Sequence, residues 1–421
     1  MTAVSSPAGP AGQPVDALPL TPDALAGTRS ARPEDAGRGP RAPQVTPGGP
    51  AAIPAGPVRT TTELVTDYGR FLDLEAEWND AVERAGVTHP FLCHEWFRTW
   101  WDCFGASRSL HIVVARAEGR IIAIAPLMRE RVQMYGMPVR KLDLIHNDHT
   151  PRADFIIAGP AQDAYRAIWD GLQAGRGDWD LLQLSRLPRE SATRDAFERL
   201  AAEGRCPTGV WQGDVSPYLT LEGTWQTYLA GLSAKFRSNV RNRLSRLTRL
   251  GEPRLEVLED LRAIEAARTD ALRLEASGWK AQAGTSICSD PAVERFYTEL
   301  AERATARGWL RLLFLTVGGQ RIATSYGSCY RGRLFLFKTG YDPEYATCSP
   351  FKLLTYFAIQ AAYAEGLTEV DFLGDAEAWK LEWTDTSRPH DWLYVFSLSR
   401  RAQLLHWMKF QMVPELKKWR A

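Results

Sequence analysis

The sequence lacks the features that define several broad classes of protein. No stretch approaches the roughly 18 apolar residues of a membrane-spanning helix, and the start has neither a basic segment nor an apolar stretch of signal length. The formal net charge of +1 gives no reason to expect a polyanionic partner from bulk charge. The six cysteines are scattered, with no close pair at metal-ligand or redox spacing. We therefore expect a reduced, cytoplasmic protein with no membrane span and no metal.

Aromatic residues are missing from the first 57 positions. That segment holds 12 of the 26 prolines and 8 of the 33 glycines. A segment of this composition cannot bury enough apolar surface to offset its conformational entropy. We interpret residues 1–57 as a disordered tail, with a docking arm for a partner as the alternative.

The rest of the chain has ample material for packed cores, since the sequence is 45% hydrophobic and contains 15 tryptophans. Hydrophobic patterning and turn signals predict the same order of elements twice: an antiparallel meander, a helix and one further strand. In the first half the predicted strands are 110–116, 120–127, 139–145 and 154–157, then a helix at 162–173 and a strand at 179–185. In the second half they are 310–317, 321–330 and 333–339, then a helix at 350–365 and a strand at 369–373.

A crossover helix should leave each last strand parallel to the strand before the helix. We therefore predict an α+β fold made of two similar units, at residues 58–215 and 216–399. A short strand at 218–221 is expected to cross between them. An amphipathic helix is predicted for the C-terminal residues 400–421.

One passage leaves a strand at Thr339 and opens a helix at Pro350. Such a loop presents unpaired backbone N–H groups at the positive end of the helix dipole, which suits a pyrophosphate. Ser349 also fits the N-cap of the helix without any ligand. From these residues alone both interpretations stay open.

A basic amphipathic helix begins at Lys235. Its apolar residues recur at steps of three and four, and no acid lies among its six cations. Like charges one turn apart repel by a few tenths of a kcal/mol, so some of these cations are expected to face an anionic ligand. Arg237 and Arg241 share a face and are the pair favoured for ligand binding. For Arg246 and Arg249, a solvated helix face is as good an interpretation as a ligand contact.

Acidic and basic residues follow the last predicted strand. Asp371 lies within that strand, and Asp375 and Lys380 come after its carboxyl end, where ligands collect in α/β units. A carboxylate in a partly dry cleft can have a raised pKa and accept a proton from an attacking amine. Asp371 fits equally well as a residue that caps a neighbouring element.

Taken together and in order, several blocks resemble the CelD/BcsL family of GNAT-like acetyltransferases, relatives of the Fem-type peptidyltransferases. The blocks are 89–91 with 95–96, 125–127, 235–241, 274–280, 340–345 and 371–380. The resemblance covers about residues 71–399 and rests on their order and spacing rather than on any single block.

The resemblance implies tandem GNAT folds in which the C-terminal copy retains the donor site. It implies direct acyl transfer, without an acyl-enzyme, from acetyl-coenzyme A or another acyl-coenzyme A. The implied acceptor is an amine or hydroxyl of a small molecule or glycan, in polysaccharide or cell-envelope metabolism. The implied cofactor-binding residues lie at the strand end and in the loop that follows: Lys338, Thr339, Cys348, Ser349, Phe351 and Lys352.

Roles for further residues follow from the same resemblance. The expected catalytic residues are Asp371, Asp375, Lys380 and Tyr341. Either aspartate would act as general base or orient the acceptor, and Tyr341 would protonate the departing thiolate. The residues expected to bind anionic parts of the donor or acceptor are Arg237, Arg241, Trp279 and Lys280, together with Lys380.

The predicted donor loop departs from the family pattern because residues 345–351 contain no glycine. Close backbone approach to a pyrophosphate is easiest at glycine. Two alternatives to a coenzyme A-dependent enzyme therefore stay open. One is a Fem-like transferase that uses aminoacyl-tRNA, whose phosphates the basic helix would bind. The other is a non-catalytic GNAT-like scaffold.

Overall fold

The computed structural model describes residues 60–277 and 286–413. The predicted tail at 1–57, Trp279 and Lys280, and the end of the predicted C-terminal helix lie outside the described residues.

The strands are distributed over both halves of the chain. In chain order they are β1 Thr60–Val65, β2 Ser109–Leu110, β3 Ile112–Ala117, β4 Arg120–Ala125, β5 Leu127–Met134, β6 Met137–Leu144, β7 Ile156–Ile157, β8 Leu181–Pro188, β9 Thr208–Thr220, β10 Pro253–Leu258, β11 Leu310–Val317, β12 Gln320–Tyr330, β13 Arg333–Tyr341, β14 Glu369–Asp371 and β15 Ser387–Phe396.

The helices alternate with these strands. They are α1 Tyr68–Asp73, α2 Glu75–Arg84, α3 His94–Phe104, α4 Ala161–Ala174, α5 Ala192–Glu203, α6 Trp225–Gly231, α7 Ala234–Thr248, α8 Leu261–Glu275, α9 Pro291–Ala306, α10 Pro350–Ala364, α11 Ala378–Leu381 and α12 Arg400–Trp407. A short 3₁₀ helix, Pro343–Cys348, precedes α10.

The second half has the predicted order of elements. Strands β10 to β13 form an antiparallel meander, α10 crosses over, and β14 pairs with β13 in parallel. Pro350 occupies the first turn of α10, where its missing N–H costs nothing. The predicted crossover and parallel closing strand are confirmed here.

The first half differs from its prediction in two ways. Strand β5 was not predicted and pairs with β6, whereas β3 and β4 lie in the other sheet, so the predicted meander is divided. Strand β8 does close the unit in parallel, but its partner is β6. The strand predicted directly before the helix, β7, pairs antiparallel with β4 in a separate four-stranded sheet. The prediction was wrong because β7 has only two residues, too few to carry a ladder on to the next strand.

One long sheet joins the two halves. Its strand order is β10-β11-β12-β13-β14-β9-β15-β8-β6-β5-β2. Strand β9 pairs with β14, and β15 from near the C-terminus lies between β9 and β8, antiparallel to both. The predicted boundary at 215/216 falls inside β9, so the positions where the two units divide stay a prediction.

The C-terminal part of this sheet is covered on both faces. Leu312 and Phe314 face a core that also contains α8, α9 and the aromatic helix α3. Leu313 and Leu315, which alternate with them, face a second core formed with α7 and α10. The helices α8 and α10 therefore lie on opposite faces of the strands β11 to β13.

Candidate active site

The parallel strands β13 and β14 part from each other after three residue pairs. The last pair joins Phe335 to Asp371, where β14 ends, but β13 continues to Tyr341. Past that pair, no described strand lies beside this edge of β13. The stretch of β13 after Phe335 therefore forms one side of a gap in the sheet.

A β-bulge lies in β13 at the start of this gap. Tyr326 pairs with Lys338 and Gly327 pairs with Leu336, so Phe337 is an extra residue in the ladder. A side chain at Gly327 would not fit, since its Cβ would lie 2.3 Å from the carbonyl oxygen of Phe335. The bulge places Lys338 on the same face of the sheet as Tyr326.

Aromatic side chains from the N-terminal half of the chain pack against the bulge. The ring of Phe337 lies 5.9 Å from that of Phe91 and 5.7 Å from that of Trp96, centroid to centroid. Trp96 and its neighbours Phe97 and Trp100 are buried on α3. The buried aromatic side chains of α3 therefore pack against the strand that forms the gap.

Beyond Tyr341 the chain turns through the 3₁₀ helix into α10. Ser349 has a φ of +49° and occupies the N-cap position, but its side chain makes no cap hydrogen bond. Its own N–H donates to the carbonyl oxygen of Ala346 at 3.0 Å. Pro350 has no N–H, so the first-turn N–H groups without an intrahelical acceptor are those of Phe351 and Lys352.

The left-handed backbone of Ser349 gives one prediction. This conformation costs a residue with a Cβ about 1–2 kcal/mol, and glycine adopts it without strain. We expect Ser349→Gly to keep the free energy of unfolding within about 0.5 kcal/mol of wild type or to raise it, as measured in urea. Ser349→Val should lower it by more than 1 kcal/mol. Equal losses in both variants would contradict the role given to φ.

The basic helix α7 lies beside this loop. Its residues Phe236, Val240 and Leu247 are buried in the core formed with α10. Arg246 donates from Nη1 to the carbonyl oxygen of Thr347 at 3.4 Å, while Arg241 is exposed. The cationic face of α7 therefore borders the loop at the N-terminus of α10.

Arg237 has a different position from Arg241. Its guanidinium donates to the carbonyl oxygens of Ala230 and Leu232 at the end of α6. The sequence favoured this pair because the two residues share a helix face, but the structure engages Arg237 in holding α6. Arg246, which the sequence left open, donates to the loop instead.

Asp371 is fully buried at the end of β14. Its Oδ2 accepts from Nη2 of Arg152 at 2.6 Å and from Nη1 of Arg388 at 2.9 Å, and its Oδ1 accepts from the N–H of Leu373 at 3.0 Å. The carboxylate is thus fully engaged by protein groups. Arg152, which comes from the N-terminal half, was not among the residues that the sequence singled out.

Lys380 holds the loop that follows β14. Its buried Nζ donates to the carbonyl oxygens of Leu373 at 2.7 Å and Asp375 at 2.9 Å, and lies 3.1 Å from Oε2 of Glu377. The side chain of Asp375 is exposed on this loop. Lys380 therefore fixes the backbone that presents Asp375.

The two loops at the gap contact each other through aromatic rings. Phe351 at the start of α10 lies 4.7 Å from Trp379 of α11, centroid to centroid. Lys352 pairs with Glu382 and lies over the ring of Phe236. Tyr341, 36% exposed, ends β13 at the entrance to the loop. The structure thus gathers the predicted donor residues along one strand end and one loop.

A cavity of about 100 Å³ opens on the other face of the sheet, between α8 and α9. Lys338 lines it, with Nζ 5.9 Å from the ring centroid of Tyr297. Burial raises the pKa of Tyr297, and the nearby Glu275 adds to this; burial also raises the pKa of Tyr326. Both phenols therefore stay protonated, and Tyr326 donates to the carbonyl oxygen of Tyr297 at 3.0 Å.

Two general features concern the part of the chain that the structure describes. Within residues 60–277 and 286–413, no group of three or more His, Cys, Asp or Glu side chains is placed to hold a metal ion. Over the same ranges, no helix has the length and apolar character needed to cross a membrane.

Comparison with known proteins agrees with this geometry. Residues 234–381 match a family described as an acetyltransferase (GNAT) domain. No curated protein matches the chain. The structure of FemX is 11% identical, with a TM-score of 0.52 over 82% of this chain and 100% of that chain. The C-terminal half therefore contains a region similar to a GNAT acetyltransferase domain, and the fold is GNAT-like.

Two further solved structures are similar at lower scores. L-PGS from Bacillus licheniformis is 11% identical, with a TM-score of 0.46 over 81% of this chain and 95% of that chain. A tandem GNAT protein from the clavulanic acid biosynthesis pathway is 13% identical, with a TM-score of 0.41 over 80% of this chain and 98% of that chain. The more specific likeness to the CelD/BcsL family stays a prediction.

Proposed function

We propose that this protein transfers an acyl group from acyl-coenzyme A to an amine acceptor at the gap between β13 and β14. The observation that carries the proposal is the parting of these strands at Phe335 and Asp371, together with the bulge at Phe337. In the proposed reaction, backbone N–H groups of β13 along this edge polarise the thioester carbonyl. Fixed donors at a developing oxyanion are among the largest contributions to catalysis.

The reaction is a direct transfer. The acceptor nitrogen attacks the thioester carbonyl carbon, so that a C–N bond forms and the C–S bond breaks. The nitrogen loses a proton to a base and the coenzyme A thiolate gains one from an acid. Tyr341, at the exposed end of β13, is our candidate acid. Asp375 is our candidate base, because its carboxylate is exposed beside the gap whereas that of Asp371 is held by two arginines.

The pyrophosphate of the donor is assigned to the N-terminus of α10. The N–H groups of Phe351 and Lys352 point out of the first turn, at the positive end of the helix dipole. Arg246 and Arg241 on α7 border the same loop and supply positive charge. The loop has no glycine, but Ser349 adopts the left-handed backbone conformation that glycine usually supplies.

One observation favours a second candidate, a transferase that takes its acyl group from aminoacyl-tRNA. Three cations of α7 and one at its C-cap are exposed to solvent, which is more than one pyrophosphate needs. They are Lys235, Arg241, Arg246 and Arg249. A row of exposed cations is typical of a surface that follows a nucleic-acid backbone.

Calorimetric titration of acetyl-coenzyme A into the full chain tests the first candidate. We expect saturable binding that the double variant Arg241→Gln/Arg246→Gln weakens by about tenfold or more, because each lost charge-assisted contact costs on the order of 1 kcal/mol. Arg262→Gln, an exposed change on α8 across the sheet, is the matched control and should bind as wild type.

The outcomes separate the two candidates. If acetyl-coenzyme A shows no binding at low or moderate salt, the coenzyme A proposal is wrong. Binding of charged tRNA whose affinity falls steeply with salt would then support the second candidate. If neither binds, the non-catalytic scaffold is the remaining interpretation.

A further inference from the structure

The cavity between α8 and α9 has an apolar middle. Its walls include Ile264 and Leu272 from α8, Ala301 from α9 and Leu312 from β11. These side chains offer no hydrogen bonds, so a sugar ring with several hydroxyl groups would lose its hydration there without compensation. An apolar cavity of 150 Å³ accepts benzene, and one of about 100 Å³ therefore accommodates a chain of roughly four carbons.

The inner end of the cavity is polar. Thr324 lines it, is 2% exposed, and its Oγ1 has no hydrogen-bond partner among the described residues. Buried hydroxyl groups in native proteins almost always have a partner, because an unpaired one costs about 1–3 kcal/mol. Lys338 and Glu275 line the same end, next to the bulge that opens the gap. A polar ligand atom at this point would satisfy Thr324.

The outer end of the cavity is acidic. Glu265 on α8 and Glu302 on α9 line it, both are exposed, and neither makes an ion pair within the described ranges. Glu294, by contrast, lies 3.4 Å from Arg268. Two carboxylates without cations attract a positive charge and repel a negative one. The lining of the cavity thus holds four carboxylates, of Glu265, Glu275, Glu294 and Glu302, against the two cations Arg268 and Lys338, and its formal charge is negative.

We propose that this cavity is the acceptor site and that the acceptor is a short aliphatic diamine, with about four carbons between its nitrogens. This rests on the proposed acyl transfer. One ammonium group lies between Glu265 and Glu302, the carbon chain fills the apolar middle, and the second nitrogen reaches Thr324 on β12, one strand away from the gap.

NMR titration of the full chain in the absence of coenzyme A tests the site independently of the donor. The probes are butane-1,4-diamine, n-butylamine and butan-1-ol. We expect the diamine to shift cavity methyl signals with an affinity at least tenfold above that of n-butylamine, and butan-1-ol to bind more weakly still. The double variant Glu265→Gln/Glu302→Gln should lower the affinity for the diamine to that for n-butylamine.

Thr324→Val is the second variant, because valine has the shape of threonine without the hydroxyl. The hydroxyl has no hydrogen-bond partner among the described residues, so the variant should unfold at the same or a higher urea concentration while diamine affinity falls about fivefold or more. Equal binding of the three probes overturns the proposal. So does diamine binding that neither variant weakens. If the diamine binds as expected but acetyl-coenzyme A does not, the cavity assignment stands and the donor assignment fails.

Discussion

Replacing Asp371 with asparagine is expected to lower the free energy of unfolding by about 3–5 kcal/mol, the usual cost of removing one partner from a buried ion pair. Asparagine keeps the shape of the side chain but removes its charge. Arg388 retains Glu190 and Glu369 as partners. Arg152, whose side chain is 3% exposed, has no other carboxylate in ion-pair contact within the described ranges. Urea unfolding measures the loss.

Asp375→Asn is the matched control, since it makes the same chemical change four residues further on. The side chain of Asp375 is exposed, so its variant should stay within about 0.5 kcal/mol of wild type. Adding Arg152→Met to Asp371→Asn should recover part of the lost stability, because the uncompensated buried cation is then gone. Wild-type stability in Asp371→Asn together with lost turnover would contradict this account and assign Asp371 to proton transfer.

The role of Asp371 shows where the sequence stopped being informative. A lone aspartate in an apolar strand predicts either a cleft residue or a structural contact, and nothing nearby decides between them. Its partner Arg152 lies 219 positions away, in the other half of the chain. The pairing of β9 with β14 and β15, the pairing of β15 with β8 and the packing of α3 bring the halves together, and no local pattern encodes these contacts.

The elements of the C-terminal half were predictable because each has a strong local signal. Turn glycines bound the strands β11 to β13, Pro350 opens α10, and Gly366, with a φ of +71°, follows its end. Strand β15 was missed, although it lies between two others in the long sheet. It contains Pro389 with two polar residues next to it, a composition that predicts an edge strand or a loop. In addition, its neighbours β8 and β9 precede it in the sequence by well over a hundred residues.

The candidate site was predictable as a region but not in its details. The passage from β13 into α10 was recognisable because it joins a strand to a helix N-terminus. The bulge at Phe337 and the left-handed φ of Ser349 leave no such signature, since neither residue is a glycine or an asparagine. The cavity beyond Lys338 depends on α8 and α9, whose packing over the sheet joins residues distant in sequence.

Replacing Gly340 with alanine is expected to lower the free energy of unfolding by about 3 kcal/mol or more, at the upper end of the cost of overpacking a core. A Cβ at this position would lie 2.2 Å from the carbonyl oxygen of Leu274 and 2.4 Å from the Cα of Glu275. Both are backbone atoms, so no side-chain rotation relieves the clash. The end of α8 would have to move away from β13. Thermal and urea unfolding measure the effect.

Gly231→Ala is the control for the entropy that any glycine loses on folding. It lies at the end of α6 with open space around it and no left-handed backbone, so alanine there should be neutral or stabilising by up to about 1 kcal/mol.

The displacement expected in Gly340→Ala has a functional consequence as well. It separates Glu275 and the inner wall of the cavity from the stretch of β13 that carries Lys338, so acyl transfer should fall even at temperatures where the variant is folded. Donor binding at the N-terminus of α10, on the opposite face, should survive. A variant as stable as wild type would show that α8 does not approach β13 this closely.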